Sequence, residues 1–70
     1  MRTVPIRDGS IRLGQFLKLA DAVEAGSDVK WLLTNGDVSV NGEPEDRRGR
    51  QLVAGDEVTV LGTVLRVGTA

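Results

Sequence analysis

Cysteine, histidine and tyrosine are all absent from the 70 residues. Without cysteine there is no disulfide and no thiolate metal site. Without histidine the chain lacks the commonest metal ligand and the side chain that titrates nearest neutral pH. Acid–base catalysis would fall to carboxylates or lysines in a desolvated pocket. A chain this short buries only about 60% of the surface its unfolded form exposes, which leaves little depth for such a pocket. We therefore expect a protein that is not an enzyme, takes no cofactor and has no small-molecule substrate. The acids Glu43, Glu45 and Asp46 lack the spacing of a calcium loop and are followed by arginines, so no metal site is expected. No glycine-rich phosphate loop of the Walker type is present. No apolar run approaches the roughly 18–20 residues that span a bilayer, and the opening MRTVPIRDGS lacks the apolar core of a signal peptide. A cytoplasmic protein without a membrane partner is expected.

Phe16 and Trp31 are the only aromatics, so the core must be built from Leu, Val and Ile. Thr3–Ile6 suits a short first strand, and Pro5 would confine it to a sheet edge. After the turn Asp8–Ser10, the run IRLGQFLKLADAVEAG places Leu13, Phe16, Leu17 and Ala20 at i, i+3, i+4 and i+7. That spacing is one face of a helix, ended by Gly26, with Lys18 on the other side and Arg12 on the flank. Ser27 is placed to cap a second, shorter helix, with Asp28 in its first turn and Asn35–Gly36 as its stop. Val29, Leu32 and Leu33 form its apolar stripe. Lys30 lies off the stripe, and Trp31 is expected to pack against the sheet.

From Asp37 the period changes to two. Val38 and Val40 alternate with Ser39 and Asn41, and Asn41–Gly42 is the strongest short hairpin signal. Leu52–Val53, Glu57–Leu61 and Val64–Val67 follow as further strands, with turns at Gly55–Asp56 and Gly62–Thr63. The whole reads as a single α+β domain over residues 1–70: two packed helices followed by a small antiparallel sheet, with a short N-terminal edge strand.

The net charge is −1, which counts against a strongly basic nucleic-acid binder. Phosphate binding depends on where charge sits, however, not on its sum. The stretch VNGEPEDRRGR, residues 40–50, carries three acids and then Arg47, Arg48 and Arg50. Arginine's planar fork suits phosphate. Read from the residues alone, the stretch is either a hairpin whose charges cancel or a phosphate grip whose acids face elsewhere. Lys18 and Lys30, off the apolar stripes of their helices, would merge with the arginines if the helices pack beside this hairpin. The N-terminus of the second helix, at Gly26–Ser27, offers backbone N–H groups to an anion, although plain capping by Ser27 accounts for the same residues.

The ordered set IRLGQFLK, GSDVKWLL, GDVSVNGEPEDRRGRQL and GDEV resembles the S-four-like RNA-binding domain, also called the αL motif, and in particular its small stand-alone bacterial members. The resemblance spans about residues 11–60. It implies two packed helices and a small antiparallel sheet, with RNA lying against the helices and the adjoining hairpin. It also implies RNA as partner, ribosomal or transfer RNA, and a role in ribosome assembly or translation. By position, Lys18 matches the basic residue of F-L-K, Lys30 the lysine of the second helix, and Arg47, Arg48 and Arg50 the R-R-G-R element. Arg12 and Ser27 complete the expected contact set. Gln51 departs from a lysine usual after R-R-G-R, and Gly26–Ser27 from a usual pair of glycines. Two other readings stand beside this one. A ubiquitin-like sulfur carrier also has V-N-G-E and G-D-x-V, but acts through a terminal Gly–Gly, whereas this chain ends Val67–Gly68–Thr69–Ala70. A protein-interaction module would turn the arginines toward an acidic partner.

Overall fold

The computed structural model describes residues 1–23 and 26–70, with residues 26 and 27 described by their backbone alone. The elements run β1 (Arg2–Ile6), β2 (Ile11–Arg12), α1 (Leu13–Leu19), α2 (Gly26–Thr34), β3 (Val38–Val40), β4 (Glu43–Pro44), β5 (Gln51–Leu52), β6 (Glu57–Val60) and β7 (Thr63–Thr69). Five strands form one sheet in the order β1-β7-β6-β3-β4, and β2 pairs with β5 in a separate two-stranded ladder.

Alternation makes the sheet one-sided. Val38, Val40, Val58, Val60, Leu65, Val67, Val4 and Ile6 are all buried, while the residues between them are exposed or half-buried. Period-two patterning puts one side chain in two on the same face, and here that face meets the helices. α1 supplies Leu13, Phe16 and Leu17, with Ala20 just beyond it, and α2 supplies Val29 and Leu33. Each fully buried side chain of this size stabilises the fold by about 1.5–3 kcal/mol. Leu52, on β5, closes the core from the side of the two-stranded ladder.

Three expectations are corrected. First, the sheet is mixed. β1 runs parallel to β7, from Arg2 opposite Leu65 to Ile6 opposite Thr69, so strands precede the helices as well as follow them. The edge position of β1 agrees with Pro5. Second, α1 is shorter at both ends than the run IRLGQFLKLADAVEAG. Ile11 and Arg12 are drawn into β2 by pairing with Leu52 and Gln51. At the other end Ala20 is the C-cap and Asp21 takes φ +58°, which stops the helix although Ala22 and Val23 continue the apolar pattern. Third, α2 begins at Gly26, so Ser27 lies inside the helix and not at its cap. α2 ends as expected: Gly36 takes φ +77°, and the N–H groups of Gly36 and Asp37 return to the carbonyls of Leu33 and Leu32.

Candidate nucleic-acid interface

The arginine segment is fixed first by backbone. The leading N–H groups of a helix have no partner within it. Arg12, at the N-cap of α1, gives no side-chain cap. Instead Leu13 N–H donates to the carbonyl of Arg50 at 2.8 Å, and Gly14 N–H to the carbonyl of Arg48 at 2.9 Å. The tight turn from Arg47 to Arg50, closed by Arg50 N–H to Arg47 O at 3.2 Å, therefore sits on the start of α1. The β2–β5 ladder, with Arg12 opposite Gln51, holds the two segments in register.

This docking brings basic side chains together. Arg12, Lys18 and Arg48 line one recess of about 240 Å³ with Gly14, Gln15, Val29 and Gly49. Arg48 also lines an adjoining recess with Lys30, Leu33, Thr34 and Asp46. Arg48 thus stands between the lysine of α1 and the lysine of α2. Arg12, Lys18, Lys30 and Arg48 are exposed, and none forms an ion pair with a described residue. Four cations without a described ion-pair partner outweigh Asp46, the acid among the described residues lining these recesses, even though the chain as a whole carries −1.

Arg47 and Arg50 are differently placed. Glu45, only 8% exposed, sits beneath the turn and accepts five hydrogen bonds. Its Oε2 receives the backbone N–H of Asp46 at 3.1 Å, the backbone N–H of Arg47 at 3.2 Å and Arg47 Nε at 3.2 Å. Its Oε1 receives Arg47 Nη2 at 3.3 Å and Arg50 Nη1 at 3.2 Å. The hydrogen bond from the Arg47 side chain, above all, pulls the carboxyl down to about 2 against the opposing effect of burial; the Arg47 amide, the Arg47 charge and the Arg50 side chain add to it. The same contact pushes the Arg47 guanidinium further up. Of the three acids, Glu45 forms the ion pairs to the arginines; Glu43 and Asp46 are exposed, and Asp46 acts on Arg47 only through its charge. The acid and basic halves of the hairpin are therefore not fully segregated.

A second motif supports the first from below. Asn41 takes φ +53° and Gly42 φ +84°, the left-handed pair of a tight hairpin turn. Asn41 Nδ2 donates to Asp56 Oδ1 at 3.1 Å, and Asn41 Oδ1 accepts from Glu57 N–H at 2.9 Å. Asp56 Oδ2 accepts from Val53 N–H at 2.9 Å. The N-G and G-D signals of the sequence are therefore one network that fixes both ends of the arginine-bearing segment.

Of the residues expected to contact RNA, Arg12, Lys18, Lys30 and Arg48 converge, and Arg47 and Arg50 flank them bound to Glu45. The side chain of Ser27 lies outside the described residues. Trp31 does not pack on the sheet: it is 67% exposed, and lines a separate recess with Asp21, Asp28 and Leu61. Glu45 was read from the sequence as one of three equivalent surface acids. Its i+2 spacing to Arg47 fits a strand face, but neither that spacing nor the pattern signals burial, which is set by the tertiary turn. Among the described residues no group of three or more acids is disposed to hold a metal ion, and no helix is long and apolar enough to cross a membrane.

Comparison with known proteins bears on the family and the fold. The family model for the S4 domain matches residues 4–68. A probable ribosome maturation protein, RlbA of Bacillus subtilis strain 168, is 54% identical over 52 residues, covering 74% of this chain and 73% of that protein. The crystal structure of the 30S ribosomal protein S4e from Thermoplasma acidophilum superposes with a TM-score of 0.65 at 22% identity. That likeness covers 86% of this chain but 32% of the archaeal protein, so the shared part is about a third of its length, and it speaks for the fold alone. By the extent of the family match, the chain belongs to the S4 domain family.

Proposed function

We propose that this protein binds structured RNA, ribosomal RNA before transfer RNA, through the face formed by α1, α2 and the Arg47–Arg50 turn, and that it serves ribosome maturation or translation in the cytoplasm. The observation that carries the reading is the convergence of Arg12, Lys18, Lys30 and Arg48 without a described ion-pair partner in a chain of net charge −1. Unpaired guanidinium and ammonium groups on one face suit the regularly spaced phosphates of an RNA backbone. Helical RNA presents phosphates and 2′-hydroxyls in a fixed A-form geometry, which such a face reads by shape. Single-stranded recognition would call for aromatic platforms. The one exposed aromatic among the described residues, Trp31, lines an acid-bearing recess apart from the cations. The name of the Bacillus relative supports the ribosomal setting, and the S4 domain match supports RNA as partner. We assign the protein a binding role with no catalytic step.

The test is ultraviolet crosslinking in cells followed by sequencing of the attached RNA. Enrichment of helical segments of ribosomal RNA is expected, and its loss on exchanging Lys18, Lys30 and Arg48 for Gln. Enrichment of transfer RNA alone would move the protein to another step of translation. Absence of any RNA above background would defeat the reading and favour an acidic protein partner.

A further inference from the structure

Resting on the RNA-binding reading above, we infer that the three arginines of the turn divide their work. Arg48 contacts the phosphate backbone, Arg47 and Arg50 do not, and Glu45 is the positioning residue that holds the turn so that Arg48 meets Arg12 and Lys18. Three observations lead here. Glu45 spends both carboxylate oxygens on Arg47 and Arg50 and on the backbone of the same turn, at 3.1–3.3 Å. Arg48, between them, has no described partner and lines both basic recesses. The backbone at Arg48 and Arg50 is anchored to the first two N–H groups of α1. The turn is thus held from two sides. Its main chain rests on the helix, and its two flanking guanidinium groups are drawn down to one carboxylate. Arg47 keeps 74% of its side chain exposed but spends Nε and Nη2 on Glu45; the guanidinium without a described partner, beside Lys18 and Lys30, is that of Arg48.

The consequence runs against simple charge counting. Removing an acid beside arginines should ordinarily strengthen binding to a polyanion. Here Glu45→Gln replaces a charge-assisted clamp with weaker neutral contacts, and such charge-assisted bonds are roughly twice as strong as neutral ones. The turn loosens, and ordering it again opposes binding.

The experiment is fluorescence anisotropy of a fluorescein-labelled RNA hairpin over a series of KCl concentrations, with thermal unfolding of every variant. We expect Arg48→Gln to flatten the log–log salt slope by about 0.7–0.9, the loss of one phosphate contact. Arg47→Gln and Arg50→Gln should leave that slope unchanged. Glu45→Gln should weaken binding about fivefold with no steeper slope, and should add nothing in the Arg48→Gln background, because residues that act through one another are not additive. Tighter binding and a steeper slope for Glu45→Gln would overturn the proposal. Equal flattening by all three arginine variants would do so too. So would equal weakening by Glu45→Gln in both backgrounds, which marks a merely structural role. Should Glu45→Gln not fold, the three arginine slopes decide the matter by themselves. A parent protein that binds no RNA hairpin defeats the functional reading and this inference together, whereas every other adverse result leaves the reading standing.

Discussion

Asn41 holds a left-handed backbone and two side-chain hydrogen bonds at once. Alanine at that position would keep the strain of positive φ and lose both bonds. Each effect alone costs about 1 kcal/mol or more. We expect Asn41→Ala to lower stability by about 2–3 kcal/mol while the folded fraction retains its affinity for RNA. Thermal unfolding beside a binding titration checks this; lost affinity at unchanged melting temperature would make Asn41 a contact residue. Gln51 offers the opposite kind of change. It is exposed on β5, opposite Arg12, next to the basic recess. Gln51→Lys adds a cation at the rim without touching the core. The expected result is tighter binding and a salt slope steeper by about 0.7–0.9, read by the same titration in KCl.

At the scale of elements, the Glu45 clamp makes stability depend on acid in a defined window. A carboxyl whose folded pKa lies below its unfolded value stabilises the fold above the unfolded value, and the contribution fades as pH falls toward the folded one. For Glu45 the window runs from 4.5 down to about 2. Urea midpoints measured through that range should fall more steeply for the parent than for Glu45→Gln. Parallel curves would mean that the clamp contributes nothing to folding.

The helices show what local pattern can and cannot reveal. The apolar period of α1 was legible, and so was its buried face of Leu13, Phe16 and Leu17. Its ends were not. Ile11–Arg12 left the helix for a ladder with residues 51–52, a partner some forty positions away, and no local rule anticipates that. Asp21 ended the helix with a positive φ, a conformation Asp adopts more readily than its Ala neighbours, but the apolar period running on through Ala22 and Val23 hid the stop. The turns fared better, because Asn41–Gly42 and Asn35–Gly36 carry their own conformational preference. The parallel pairing of β1 with β7 joins the two ends of the chain, and alternation shows only that each is a strand. At the site, Lys18 and Lys30 were legible as positions off the apolar stripes, Arg12 on the flank of α1, and Arg48 in the R-R-G-R run. The division among the arginines was not, because it depends on a carboxylate becoming buried by a turn that only the folded chain makes.

Across the whole molecule, a small deficit of positive charge coexists with a concentrated basic face. The chain carries 9 basic and 10 acidic residues, yet four cations gather where the turn meets the helices. If each neutralises one phosphate, the log–log salt slope of the parent protein should be about −3. A slope near zero would mean that binding, if it occurs, is not through this face. The separate recess, with Trp31 and Leu61 exposed beside Asp21 and Asp28, should contribute nothing to that slope. Trp31 fluorescence is then a folding probe that RNA leaves little changed.

The seating of the arginine turn on α1 also makes the site observable from within. The amide protons of Leu13 and Gly14 are held by the carbonyls of Arg50 and Arg48, not by helix partners. Their exchange with deuterium therefore reports whether the turn is seated, independently of the helix behind it. A ligand that grips Arg48 should slow these two amides more than those further along α1, and a mutation that frees the turn should quicken them first. Two backbone protons at the start of one short helix would then record, in solution and without a label, every departure of the turn from its seat.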